Sequence, residues 1–293
     1  MVINSLSIDV EEHFQVSGFE GVIDRDTWES LPSRVVDNTR RILRLLDYAS
    51  ERASDGAAVK ATFFILGWIA DRQPALVREI ADAGHDIASH GYWHRLVYTQ
   101  TPDDFRDDVA RSIDAIERAC GQRPIGYRAP SFSITEQSRW AWPILADLDM
   151  QFDSSVFPTN LHNRYGMGEA NTKPHEVAEN LWEIPMSVLR VARWNVPVAG
   201  GGYFRLYPFW ITRSAVRRLN AAGTAANVYL HPWEFDPQQP RIAGVGRRAT
   251  FRHYVNIHRT QSRLRRLLAA FPFGTMRQAY ADVLSPALHA APS

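Results

Sequence analysis

Apolar positions along the chain fall into two rhythms, short continuous runs and longer stretches spaced for one face of a helix. Val2 to Val10 sets Ile3, Leu6 and Ile8 among polar residues and predicts a buried strand. That strand closes on the acidic sequence Asp9-Val10-Glu11-Glu12. Val35 to Tyr48 gathers Val36, Ile42, Leu43, Leu45 and Leu46 on a broad helical face and leaves Arg40, Arg41 and Arg44 for solvent. Ala61 to Leu66 predicts a second strand, and Gln73 to Ala83 a helix that Pro74 opens and Gly84 ends. Asp86 to Ser89 predicts a third strand. Thr101-Pro102-Asp103-Asp104 then opens an amphipathic helix running through Val109, Ile113 and Ile116 towards Gly121. An extended segment at Ile125 to Arg128 precedes a helix from Thr135 to Leu148. Short strands follow near Gln151–Asp153, Leu181–Arg190 and Asn227–His231, with a helix around Thr212 to Ala222 between the last two.

Strands alternating with helices of this length predict parallel strands joined by right-handed crossovers, an α/β fold. Too few strands are legible for an eight-fold barrel, so the expectation is a distorted (β/α) barrel of about seven parallel strands. Reactive groups in such folds sit at the C-terminal strand ends. Polar residues stand at those ends here: Asp9 and Glu11, then His90, Arg128 and His231.

Asp9 and Glu11 are two apart on an extended chain and share a side. Two carboxylates so placed repel unless a cation lies between them or one is protonated. Read alone, the pair is open between that arrangement and a solvated acidic turn. His90 and His94, in Ser89-His90-Gly91-Tyr92-Trp93-His94, have the spacing that puts two imidazoles on one face of a helical turn, within reach of one metal. Carboxylate plus imidazole is a catalytic zinc set, with two separately bonded histidines the alternative. Arg128, at a strand end before Pro130, could orient a catalytic carboxylate or face solvent. His231 could be a general acid or a satisfied core histidine. His253 and His258, five apart, diverge around a helix, and His13, His85, His162, His175 and His289 have no paired partner; all read as structural or surface residues.

Composition narrows the classes. With Lys and Arg totalling 33 against 32 Asp and Glu, the +1 net charge argues against nucleic acid and anionic lipid as partners. A lone cysteine, Cys120, rules out an internal disulfide and a Cys-rich metal site. With an acidic cluster so early no signal-peptide core is expected, and the longest apolar run, Ala61 to Ala70, is too short to span a bilayer. A cytoplasmic protein is the expectation, with peripheral association with a membrane complex also open. Gly200-Gly201-Gly202 lacks a phosphate-binding pattern and a clear following helix, so it reads as a loop allowing close backbone approach. Arg263, Arg265 and Arg266 read as a solvated helix face.

Taken in order, these motifs resemble the polysaccharide deacetylase (NodB-homology) family of carbohydrate esterases. The finer likeness is to a subgroup encoded beside exosortase and exopolysaccharide loci. It rests on Ser7 to Val16, on Phe152-Asp153-Ser154-Ser155-Val156-Phe157-Pro158, on Gly200 to Arg205, and on Tyr229-Leu230-His231-Pro232-Trp233-Glu234. The resemblance implies a barrel over residues 1–235 and a family-specific extension over 236–293. It implies Asp9 as general base, Arg128 holding it, His231 as acid, and His90 and His94 as ligands of a divalent metal, zinc by preference. It also implies a substrate pocket involving Leu230, Ser131 and Trp233, with Leu230 against the acetyl methyl and the Ser131 backbone N–H at the oxyanion.

Two departures from the family pattern matter. Val10 stands where a second aspartate is usual, which makes Glu11 the implied third ligand and Glu12 a weaker one. Ser131 stands where an aromatic residue is usual. The implied reaction is N-deacetylation of an N-acetylated polysaccharide or oligosaccharide, with exopolysaccharide machinery at a membrane as a partner. A lipid- or nucleotide-linked sugar, a cyclic amide, or a non-catalytic sugar-binding role are the alternatives.

Overall fold

The computed structural model of the chain describes residues 1–53, 56–161, 166–198 and 200–288. His162 and His289 lie outside the described residues. The strands are β1 (Asn4–Val10), β2 (Thr62–Ile65), β3 (Asp86–Ser89), β4 (Gly126–Tyr127), β5 (Phe152–Asp153), β6 (His175–Ala178), β7 (Leu181–Glu183), β8 (Val188–Val191), β9 (Trp194–Pro197), β10 (Asn227–Leu230) and β11 (Phe273–Gly274). The helices are α1 (Val35–Glu51), α2 (Gly67–Arg72), α3 (Pro74–Asp82), α4 (Pro102–Cys120), α5 (Ala141–Asp147), α6 (Gly201–Leu206), α7 (Phe209–Ala221), α8 (Arg247–Tyr254), α9 (Thr260–Leu268), α10 (Met276–Ala279) and α11 (Ala281–Leu288).

One sheet runs β10-β1-β2-β3-β4-β5-β7-β6, and its seven strands from β10 to β7 are parallel. Only β6, on β7, is antiparallel. The sheet curls into an open half-barrel with helices outside, the α/β architecture expected from the alternation.

β1 is buried along its whole length, yet its two faces differ in kind. Leu6, Ile8 and Val10 join the apolar layer of Ile42, Leu46 and Val77 beneath the helices. Ser5, Ser7 and Asp9 point the other way, as a period of two requires. There they enter a hydrogen-bonded interior. Ser5 Oγ donates to Asn227 Oδ1 at 3.1 Å, and Asn227 Nδ2 donates to Ser154 Oγ at 3.1 Å. Ile3, expected to supply core contact, lies just before the strand and is 41% exposed.

α4 forms where its ends specify it. Thr101 accepts the Asp104 amide, Pro102 stands in the first turn, and Gly121 ends the helix at φ 72°. Its buried stripe, Phe105, Val109, Ile113 and Ile116, follows helical spacing.

Elsewhere the pattern misleads. The helix expected over Thr135–Leu148 is a short 3-10 turn at Glu136–Ser138 followed by α5. The strand expected over Leu181–Arg190 breaks at Pro185, and β8 pairs only with β9 in a separate hairpin. A helix does follow the glycine run, since α6 begins at Gly201. The close approach is real: at Gly200, φ 107°, a Cβ would lie 2.4 Å from the Tyr229 carbonyl oxygen. Arg263 is buried and donates to the Phe204 and Arg205 carbonyls at 2.5 and 2.7 Å, so the basic run is not wholly solvated.

Two pairings tie residues beyond 235 to the N-terminal part of the chain. Asp236 pairs with Arg34, and β11 adds parallel to the start of β1. Among the described residues no helix is long and apolar enough to cross a membrane.

Candidate active site

The strand ends bring Asp9, Glu11, His90, His94, Arg128 and His231 together beneath one cleft. Arg128 follows β4 and is fully buried. Its guanidinium donates to Asp9 Oδ1 at 2.6 Å and Ser7 Oγ at 2.8 Å, and to the Ser154 carbonyl and hydroxyl oxygens at 3.1 Å each. It lies 4.0 Å over the Phe64 ring. Every direction the side chain could take is filled. A buried ion pair of this kind fixes a carboxylate as a charged acceptor at a set position.

Glu11 has its two oxygens assigned differently. Oε1 accepts Trp233 Nε1–H at 2.9 Å. Oε2 lies 2.7 Å from His94 Nε2 and 4.0 Å from His90 Nε2. Beyond those rings it meets no donor among the described residues. Burial alone would raise the Glu11 pKa, but His94, His231 and His90 hold it well below the usual carboxylate range. His90 Nδ1 is 2.7 Å from the Arg128 carbonyl, which can only accept, so Nδ1 carries the proton and Nε2 keeps its lone pair. Burial lowers His90 to about 4, which keeps the ring neutral. One carboxylate oxygen and two imidazole nitrogens, all buried and within 4.8 Å of one another, make a donor set that fits a divalent ion such as zinc.

The histidine pair does not sit on a helical turn. His90 to His94 is a loop in which Gly91 (φ 74°) and His94 (φ 53°) are left-handed. Asp108 of α4 accepts the Tyr92 and Trp93 amides at 2.7 and 3.2 Å, and a Cβ on Gly91 would meet its Oδ2 at 2.8 Å. The loop folds around that carboxylate and brings the two rings to 5.3 Å between centroids.

Glu12 is not in this group. Its carboxylate accepts the Arg34 and Val35 amides at 2.9 and 3.1 Å and the Ser33 hydroxyl, which caps α1.

His231 follows β10. Its Nδ1 lies 2.7 Å from Glu234 Oε1, and Glu234 Oε2 accepts Arg205 Nε at 2.5 Å. Nε2 faces Asp9 and Glu11 at 3.8 Å each. Burial opposes the charged ring, but Glu11, Glu234 and Asp9 outweigh it and push His231 up to about 9. The arrangement stores a proton above two carboxylates.

The cleft above has a volume of about 490 Å³. Ser131 and Trp233 line it, together with Phe19, Tyr98, Phe132 and Tyr229. Ser131 holds φ 53° and donates its hydroxyl to Ser17. Leu230 is not on the cleft wall. It is fully buried in the apolar layer beside Ile8, because alternation along β10 sends Tyr229 and His231 inward and Leu230 outward. His253, expected to be structural, is buried at the cleft and stacks on Trp233 at 4.1 Å, with Nε2 2.6 Å from Gln239 Oε1. Glu234, Arg205 and Ser154, which stand in the quoted motifs without an assigned role, and Asp108 support the site. For Glu234 the signal was its position three residues after His231.

Comparison with known proteins bears on the class. Residues 27–152 match the polysaccharide deacetylase family model, and residues 154–281 match a domain of unknown function, DUF3473. Over residues 27–152, less than half of its length, the chain is thus similar to polysaccharide deacetylases of the NodB-homology type. A peptidoglycan-N-acetylglucosamine deacetylase of Bacillus cereus is 37% identical over 84 residues, 28% of this chain and 30% of that protein. A chitooligosaccharide deacetylase of Bradyrhizobium is 37% identical over 73 residues, 25% of this chain and 33% of that protein. The aligned segment thus spans a third or less of these curated relatives. In fold, the chain is similar to a candidate polysaccharide deacetylase from Mycobacterium smegmatis, with TM-score 0.59 and 21% identity over 98% of this chain and 91% of that one.

Proposed function

We propose that this protein is a metal-dependent hydrolase that removes N-acetyl groups from amino sugars of a polysaccharide, within exopolysaccharide metabolism. The single observation carrying the reading is Glu11 Oε2, buried without another donor and facing two imidazole nitrogens, beside an Asp9 clamped by Arg128. Glu11, His90 and His94 would hold the ion, with zinc the best match to the donor set. When bound, it polarises the amide carbonyl and acidifies water. Asp9, held in place by Arg128, takes the proton of the attacking water. His231, charged through Glu234 and its neighbours, delivers a proton to the departing nitrogen, since an unprotonated amine leaves poorly. The Ser131 backbone N–H donates to the developing oxyanion. Tyr229 lines the cleft where Leu230 was expected against the acetyl methyl, and it brings the aromatic face that Ser131 lacks. The motifs resembling the exosortase-associated subgroup and the likeness to the two named deacetylases support the substrate class. The division into a barrel over 1–235 and an extension over 236–293 belongs to the same proposal; the Asp236–Arg34 pair and the β11–β1 pairing support an extension docked on the barrel.

The test couples elemental analysis of purified protein to acetate release from N-acetylated oligosaccharides. Metal stripping should abolish release and zinc should restore it, while His90→Ala should lose both ion and activity. A zinc-loaded protein that releases no acetate from any such glycan would overturn the reading.

A further inference from the structure

The near-zero net charge hides two opposed regions. Residues 1–183 hold 18 basic and 29 acidic side chains, whereas residues 184–280 hold fifteen arginines, no lysine and only two carboxylates. Those two, Glu234 and Asp236, are buried and paired with Arg205 and Arg34. Neither neutralises the surface. The expectation that this chain presents no field to an anionic lipid fails on this distribution, because a field follows local rather than total charge.

The same stretch exposes large apolar side chains. Trp210 is 67% exposed at the start of α7, and Arg213 and Arg217 follow on its outer face. Phe251, 57% exposed, stands on α8 between Arg248 and Arg252, which line the cleft. Leu206 ends α6, and the hairpin joining β8 to β9 exposes Val191 and Trp194 beside Arg190 and Arg193. α6, α8 and the hairpin are tied to one another and to the site, and α7 follows α6 directly in the chain. Arg205 donates to the Arg252, His253 and Val255 carbonyls at 3.0, 2.7 and 2.9 Å and pairs with Glu234, the partner of His231. Val188, at the root of the hairpin, packs in the same small cluster as Tyr203 of α6.

We infer that this face, formed by α6, α7, α8 and the β8–β9 hairpin, docks on an anionic phospholipid surface with the cleft opening towards the headgroups. The inference rests on the proposed deacetylase reading only for what it delivers, a glycan presented at a membrane. Arginine alone would suit any polyanion. Tryptophan, phenylalanine, leucine and valine held out among arginines suit an interface with an apolar layer beneath phosphate, where aromatic and aliphatic groups insert and guanidinium groups bind phosphate in pairs.

Flotation of the full chain with phosphatidylcholine vesicles, with and without phosphatidylglycerol, tests this apart from catalysis. Binding is expected only with phosphatidylglycerol and should weaken with salt. Arg213→Gln with Arg217→Gln should weaken it about five-fold per arginine, and Trp210→Ala with Trp194→Ala should weaken it further. Acetate release from soluble N-acetylated oligosaccharide should be unchanged in these variants. Absence of binding to phosphatidylglycerol vesicles at low salt overturns the inference. So does binding indifferent to the tryptophan changes and displaced by soluble alginate, which would make the face a polysaccharide site. Lipid binding that persists in a protein found to release no acetate would leave the docking face standing and remove only the deacetylase reading.

Discussion

Two pairs of buried acidic side chains end strands of the same sheet, and they differ in everything except burial. Asp9 and Glu11 at the end of β1 are surrounded by Arg128, His90, His94 and His231 and open onto a cleft. Asp153 and Glu183 face each other across β5 and β7 in register, fully buried, with hydroxyl, indole and amide donors as partners. Ser155 Oγ and Trp142 Nε1 donate to Asp153, and the Val156 amide donates to Glu183. Burial and the Asp153 charge raise Glu183 well above the usual carboxylate range, so this second pair shares a proton. The first pair is faced by a guanidinium and imidazoles and opens onto the cleft; the second is faced by neutral donors and lies within the frame. Burial alone therefore does not mark a catalytic carboxylate. The cations facing it do.

The largest effect expected of this contrast is on turnover. Asp9→Asn should keep bound zinc while kcat falls by ~10²–10⁴, and Glu11→Gln should instead lose the ion. Loss of the ion in Asp9→Asn with retention in Glu11→Gln would exchange the two roles. Stability gives the next effect. Arg128→Met strips Asp9 of its cation inside the barrel and should cost about 3–5 kcal/mol in urea unfolding; a cost near zero would mean the pair is not buried as described.

The second pair makes a prediction about pH. Because the folded-state pKa of Glu183 is raised, the folded protein resists losing a proton that the unfolded chain gives up readily. Its contribution is fully present below the unfolded carboxylate pKa and is lost as pH rises through the folded value. Unfolding free energy should thus fall with rising pH across that window, and Glu183→Gln should flatten the fall. An unchanged slope in the variant would assign the proton elsewhere. The smallest effect is a control remote from both pairs: Thr101→Ala should cost about 1 kcal/mol through the lost α4 cap, with acetate release unaltered.

Much of the frame was legible because parallel strands buried on both sides read as short apolar runs, and because Pro74, Thr101, Pro102 and Gly121 punctuate helices by their backbone chemistry. The strand-end rule gathered Asp9, Arg128 and His231 without any distance information. What escaped depends on contacts distant in sequence. His90 and His94 meet through a loop wrapped on Asp108, which no helical spacing reports. Leu230 was assigned to the pocket by likeness, whereas its parity with Tyr229 and His231 along β10 decides its side. Pro185, which divides the Leu181–Arg190 stretch, was visible in the sequence and underweighted. The small glycine-led α6 had too few residues to show a period.

The pairing of β1 has a consequence for how the chain acquires its site. One neighbour of β1 is β10, with Ser5 opposite Asn227, and β11 joins the same strand later still. Trp233, which fixes Glu11, lies 222 residues away along the chain. Asp9 and Glu11 are therefore translated early and seated late. Until β10 arrives, β1 has an unpaired edge and two carboxylates without their full set of partners, and closing so long a loop is slow. The order of synthesis makes β1, which bears the candidate site, the strand whose surroundings are completed last, so a nascent chain halted before β10 would expose it.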